Sequence, residues 1–239
     1  MLILALDTCD VRGSVAILRD ESLLQVTPHT TNEDYSSWLL PAVTAVLTSA
    51  GLVMRDIDLY AVAAGPGSFT GVRVGLTTVK AWSEVHGRRI ASVSRLEAIA
   101  AGSAGSSPYL AAFIDARRDQ IFAALYRRRA AELLARVDDE MVIAPDKFLE
   151  WCAAKAASEK IDWVSTDPNC LTQTPPWSSR LALNETLQEI SPVLASRIGQ
   201  IGYRLALQNQ HTDSLALDAN YIRRSDAEIL WKGPSHHGA

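Results

Sequence analysis

The sequence predicts an α/β protein of two similar lobes facing a cleft, and three observations lead there. Apolar blocks with strand character alternate with amphipathic helical stretches along most of the chain. One block, residues 59–64, runs into the glycine-rich stretch Gly65-Pro66-Gly67-Ser68-Phe69-Thr70-Gly71 and then into a helical pattern. A unit of strand, aspartate, turn and strand near the start returns about one hundred residues later, and a repeat of that size outranks local motifs in deciding a fold.

Taken in order, residues 2–7 read as a strand ending at Asp7, 8–13 as a turn, and 14–19 and 23–27 as two more strands of an antiparallel meander. A helix follows, with Ser36 and Ser37 as candidate caps and Gly51 as its stop. Leu39, Leu40, Val43, Val46, Leu47 and Ala50 share one of its faces. Pro41 fits that helix near its first turn or at a kink. After the glycine stretch, Val72, Leu76, Val79 and Ala81 recur at helical spacing over 70–86. Residues 90–93 form a short strand, and 94–101 a helix opened by Ser94 with Glu97 three residues on, a capping box. The glycine- and serine-rich residues 102–108 read as a linker, dividing the chain into lobes 1–105 and 106–239, with packing of the last helix or tail back onto the first lobe left open.

The second lobe opens as the first did, with a strand over 109–115 ending at Asp115, a turn over 116–119 and a strand over 121–126. Beyond it, 145–157 is helical, 162–165 a strand and 167–177 a proline-containing loop. Ser191-Pro192-Val193 starts a helix reaching about residue 207, with proline at its tolerated first position. Residues 217–228 show no period.

Composition agrees with a globular chain. At 239 residues, 48% hydrophobic and 21% charged, it can bury a sizeable core. A net charge of -4 gives no general pull toward nucleic acid, so any RNA contact would rest mostly on a partner. No uncharged run reaches the roughly 18 residues of a membrane span. The apolar start carries no basic leader, and Cys9, Cys152 and Cys170 form no paired spacing. Together these predict a cytoplasmic protein without disulfides or a zinc site.

The glycine stretch has two readings. It can bring backbone N–H groups and a helix N-terminus up to an anion or another chain, or it can be a tight turn that sets a helix onto a sheet. Its spacing is one residue too long for a dinucleotide fingerprint, and Val72 and Arg73 stand where a P-loop needs Lys and Ser/Thr. Pro66 also stands where a nucleophile elbow around Ser68 needs glycine. Asp7, beside Thr8, and Asp115 end their strands near the cleft, where an aspartate could hold a metal ion or orient water. Alternatively, each caps the turn after its strand through backbone hydrogen bonds. His29 and Glu33 make a poor metal pair, and His86, His211, His236 and His237 form no cluster, so His29 reads as a surface or interface residue. Arg127-Arg128-Arg129 reads as a solvated run rather than an RNA site.

Leu4-Ala5-Leu6-Asp7-Thr8, Leu39-Leu40-Pro41, the run from Gly65 through Gly75, Asp115-Ala116-Arg117-Arg118 and Tyr221-Ile222-Arg223-Arg224, in that order, resemble the TsaB (YeaZ) family. The resemblance implies an actin-like (ribonuclease-H-like, ASKHA) duplicated fold and a non-catalytic scaffold required for N6-threonylcarbamoyladenosine modification of tRNA. It implies pairing with the catalytic subunit TsaD and the ATPase TsaE, a homodimer in their absence, and tRNA contact only through the complex. No cofactor of its own is expected, with ATP and metal lying on the partner subunits. Helices of the first lobe would carry the interface, at Trp38, Leu39, Val43, Phe69, Val72, Arg73, Val74, Leu76 and Lys80. Trp38 and Trp82, off the main stripes of their helices, read either as contact anchors or as closing the core edge. Asp7, Thr8 and Asp115 are the candidates for a cleft ligand. Two other functions stay in view: an independent nucleotide-binding ATPase, tested by calorimetry with ATP and magnesium, and a glycoprotease-type metallopeptidase, which lacks a His-Glu-x-x-His motif.

Overall fold

The structure, a computed structural model, describes residues 1–30, 32–129 and 134–222. In the first lobe the apolar runs form β1 (Leu2–Asp7), β2 (Ser14–Arg19) and β3 (Ser22–Pro28), followed by α1 (Tyr35–Ser49), β4 (Leu59–Ala63), α2 (Phe69–His86), β5 (Arg89–Val93) and α3 (Arg95–Ala100). The second lobe comprises β6 (Tyr109–Asp115), β7 (Ile121–Arg128), β8 (Leu134–Arg136), β9 (Met141–Ile143), α4 (Pro145–Ala156), β10 (Ile161–Ser165), α5 (Asn169–Thr172), α6 (Trp177–Leu181), β11 (Thr186–Glu189) and α7 (Ala195–Leu207).

The duplication is complete at the level of the sheets. The first has the order β3-β2-β1-β4-β5 and the second β8-β7-β6-β10-β11, with β9 added alongside β8 as a further partner of β7. In each, the strand that ends in aspartate pairs antiparallel with its hairpin partner on one side and parallel with a later strand on the other. β4 and β10 are buried along their whole length, as strands covered on both faces must be; β4 reads as an unbroken apolar run, while β10 carries the buried Asp162.

Several local expectations are corrected. α1 is capped at Asp34 without a side-chain bond, and Ser36 and Ser37 lie exposed in its first turn. Pro41 sits inside this helix, where it has no N–H to offer the carbonyl four residues back. α2 begins one residue early, capped by Ser68, whose hydroxyl accepts from the Gly71 N–H. Residues 167–177 hold α5 and the start of α6 rather than a plain loop. α7 starts after Pro192, and its first N–H, on Ala195, donates to Ser14 Oγ in the first lobe at 3.0 Å. Arg223, Arg224, His236 and His237 lie outside the described residues.

The lobes are joined by more than the linker. α7 follows the strands of the second lobe but packs across β1, β2 and β4 of the first. Glycines make that approach possible: a Cβ on Gly199 would lie 2.3 Å from Leu18, and one on Gly202 2.7 Å from Ala61. One face of the second sheet shares a core with the first lobe through Leu110, Ala112, Phe122 and Tyr126, while the other packs beneath α4 around Phe113, Phe148 and Trp163. The linker itself is tied down, since Ser107 donates through its N–H and hydroxyl to Asp162 at 2.9 and 2.8 Å, and Arg128 Nε donates to the Ser107 carbonyl at 3.1 Å. Among the described residues no helix is long and apolar enough to cross a membrane.

Candidate functional site

The two repeat units bring their turns to opposite walls of a cleft of about 1010 Å³, lined among others by Asp10, Arg12, Phe69, Asp115, Arg117 and Thr166. Both aspartates first serve their own turns. The Cys9 N–H donates to Asp7 Oδ1 at 2.9 Å and the Arg117 N–H to Asp115 Oδ1 at 2.7 Å, the same two-residue step in each lobe. This is the turn-capping reading of those carboxylates, made by a side chain that competes for backbone donors.

The remaining valence of Asp7 goes to Arg95. Its Oδ2 accepts from Arg95 Nε at 3.3 Å, and the same guanidinium donates from Nη2 to Asp10 at 3.0 Å. Arg95 is 2% and Asp7 0% exposed, so this is a buried ion pair. Burial works against charge on Arg95, but Asp7, Cys9 and Asp10 outweigh it and raise its pKa. Burial likewise pushes Asp10 up, and Arg95 and Arg12 together hold it below the ordinary carboxylate value. Arg12 donates to Asp10 at 3.0 Å and to the Thr166 carbonyl at 3.2 Å, bridging the cleft from first lobe to second. Both Asp7 oxygens are therefore engaged by the chain's own donors. The site does not fit a metal ion at Asp7, because the cation is already supplied by Arg95.

Thr8 and the glycine stretch are structural in the same way. Thr8 Oγ1 donates to the Gly71 carbonyl at 2.7 Å, and the Ser68 N–H donates to the Cys9 carbonyl at 2.7 Å. A Cβ on Gly67 would lie 2.2 Å from the Cys9 oxygen and one on Gly71 2.0 Å from the Thr8 oxygen. The glycines let the first turns of α2 lie directly on the turn after β1, which is the helix-setting reading of this stretch.

Of the nine positions expected at an interface, Trp38, Leu39, Val43, Val72 and Leu76 are buried in the chain's own core. As free anchors they are corrected: the apolar stripes of α1 and α2 cover the first sheet. Phe69 and Arg73 are exposed, and Val74 and Lys80 half-buried. Trp38 closes the core edge against His29 and Tyr35, and Trp82 packs on Tyr60 at 5.8 Å. His29 is not a surface residue. It is buried, with ring nitrogens 2.7 and 2.9 Å from the carbonyls of Val11 and Glu33. Among the described residues no cluster of three His, Cys, Asp or Glu side chains could hold a metal.

Sequence reasoning missed Arg95, the residue that closes the cleft chemistry. A signal was present, because a cation at the first position of a helix opposes the helix dipole and so needs an acidic partner elsewhere. Tyr35 was missed too; its hydroxyl accepts from the Gly13 N–H at 2.7 Å and donates to the Asp10 carbonyl, tying α1 to the turn.

A family model described as TsaD: tRNA N6-adenosine threonylcarbamoyltransferase matches residues 17–189, well over half of the chain. The chain belongs to the TsaD family. Within it the sequence is similar to proteins named tRNA threonylcarbamoyladenosine biosynthesis protein TsaB, from Bacillus subtilis at 32% identity over 146 residues and from Escherichia coli at 32% over 152. These matches cover 61% of this chain and 64% of each relative, so they span less than two thirds of the relatives' length. The structure is similar to a solved protein described as uncharacterized with similarity to peptidase YEAZ from Pseudomonas aeruginosa, with a TM-score of 0.74 and 26% identity over 93% of this chain and 99% of that one. The TsaD-family fold is the duplicated, two-lobed actin-like one described above, and the TsaB (YeaZ) resemblance stands on these relatives.

Proposed function

We propose that the chain is a non-catalytic, TsaB-like scaffold subunit of cytoplasmic tRNA N6-threonylcarbamoyladenosine synthesis. It pairs with a TsaD-type catalytic subunit and a TsaE-type ATPase, and with a second copy of itself in their absence. tRNA is reached only through the complex, and ATP and metal belong to the partner subunits. The relatives' names support the process, and the Arg95 ion pair supports the absence of catalysis, because Asp7, one of the candidates for a cleft ligand, is buried and already neutralised.

The observation that carries the scaffold reading is the outward side of α1. All 15 residues of this helix are uncharged, although Ser37, Leu40, Pro41, Thr44, Ala45 and Thr48 face solvent. A helix with one face on a core ordinarily places charges on the other, whereas loss of charge marks the centre of a protein–protein interface. Leu40, at 56% exposure, is the largest apolar group there. The contact therefore lies on the side of α1 opposite the expected Trp38, Leu39 and Val43.

Co-purification with a TsaD-type partner tests this. Leu40→Asp and Ala45→Asp are expected to abolish it while the isolated chain melts as before. Retention of the partner at wild-type yield by both variants would refute the reading. Leu76, buried beneath α2, is not a usable probe, since an aspartate there would disrupt the monomer.

A further inference from the structure

The last described segment leaves the second lobe. After α7, Thr212 makes an isolated bridge with Ile90 at the edge of the first sheet, Leu217 is buried, and the segment crosses to the cleft, where Asn220, Tyr221 and Ile222 form part of the lining. There the Asn220 N–H donates to the Ala64 carbonyl at 2.8 Å, just before the glycine stretch. The Tyr221 ring lies 5.2 Å from that of Phe69, and its hydroxyl accepts from Arg73 Nε at 3.1 Å. Asn220 Nδ2 donates to Glu140 Oε2 at 2.6 Å.

Glu140 lies between β8 and β9, and its side chain is 2% exposed. Besides Asn220, it accepts from the hydroxyl of Ser94, the cap of α3 in the first lobe, and from the Tyr126 hydroxyl of β7 in the second at 3.3 Å. Arg136 approaches it only to 3.9 Å. A buried carboxylate persists where donors satisfy it, and bonds to a charged acceptor are the stronger kind. These donors come from three places that no continuous secondary structure joins: the first lobe, the second lobe and the crossing segment.

We propose that Glu140 is a latch, holding residues 217–222 as a strap along the cleft and fixing the two lobes to each other, so that access to the cleft follows release of the strap. The inference does not depend on the proposed partners. Amide hydrogen exchange on the full chain tests it, using Glu140→Gln, which keeps shape but loses the charge, and Asn220→Ala, which cuts only the strap's side of the latch. Each is expected to speed exchange about tenfold in peptides covering 213–222 and in the underlying 64–72, the size of effect for losing one charge-assisted bond. The double variant should show no further gain, and peptides from β1 and β6 should be unchanged. Wild-type exchange in the strap of both single variants, a strap that loosens without 64–72, additive effects in the double variant, or equal acceleration throughout the chain would each overturn it.

Discussion

Arg95 decides what the cleft can do, because a single guanidinium holds Asp7 and Asp10 at once and Arg12 extends the network to the second lobe. Removing one member of a buried pair strands the other charge. Arg95→Met is therefore expected to cost about 3–5 kcal/mol in urea unfolding. Glu97 behaves oppositely from a typical paired carboxylate: burial first, and then the neighbouring Glu140, hold its pKa above the ordinary value. The folded chain then keeps a proton that the unfolded chain loses, so stability falls as pH rises from the unfolded carboxyl range, about 4.3, toward the higher folded value. Glu97→Gln should raise the melting temperature at neutral pH, and the advantage should vanish below that range. Asp7 and Asp115 were legible as strand-end aspartates, and their turn-capping role was one of two readings the residues allowed. Arg95 was not, because its partners lie more than eighty positions away in the chain and spacing carries no record of them.

The glycine stretch and α2 were legible to within a residue, since a strand, glycines free to take positive φ and a helical apolar spacing leave their own local marks, although the Ser68 cap was not read. Gly65 has φ 105, and Gly87, which ends the helix, has φ 61. What spacing could not say is why Gly71 must be glycine, and the answer is a backbone oxygen 2.0 Å from the site of any Cβ. Gly71→Ala should cost on the order of 1–3 kcal/mol or more, because the obstacle is main chain rather than a side chain that can swing away. Thermal melting checks this. The α1 stripe was read correctly at Leu39, Val43, Val46 and Leu47, which are buried, but not at Leu40, which is exposed on the other side, and periodicity identifies which residues point together and not whether they meet the chain's own sheet or another molecule. Burial of Trp38, Leu39 and Val43 assigns that face inward and leaves the uncharged side for contact.

The duplicated architecture was visible because the repeated hairpin carries the same aspartate at the same strand end, and sheet order then repeats strand for strand. The short strands β8, β9 and β11 were invisible, being three or four residues long with too few alternations to register. Packing of α7 back onto the first lobe was left open, because the surface it meets belongs to strands far away in the chain and spacing does not identify them. That path has a consequence for biogenesis. While the protein emerges from the ribosome, the sheet laid down first must wait with one side bare until Ala195 and the residues after it are made. A chaperone would find its natural client there.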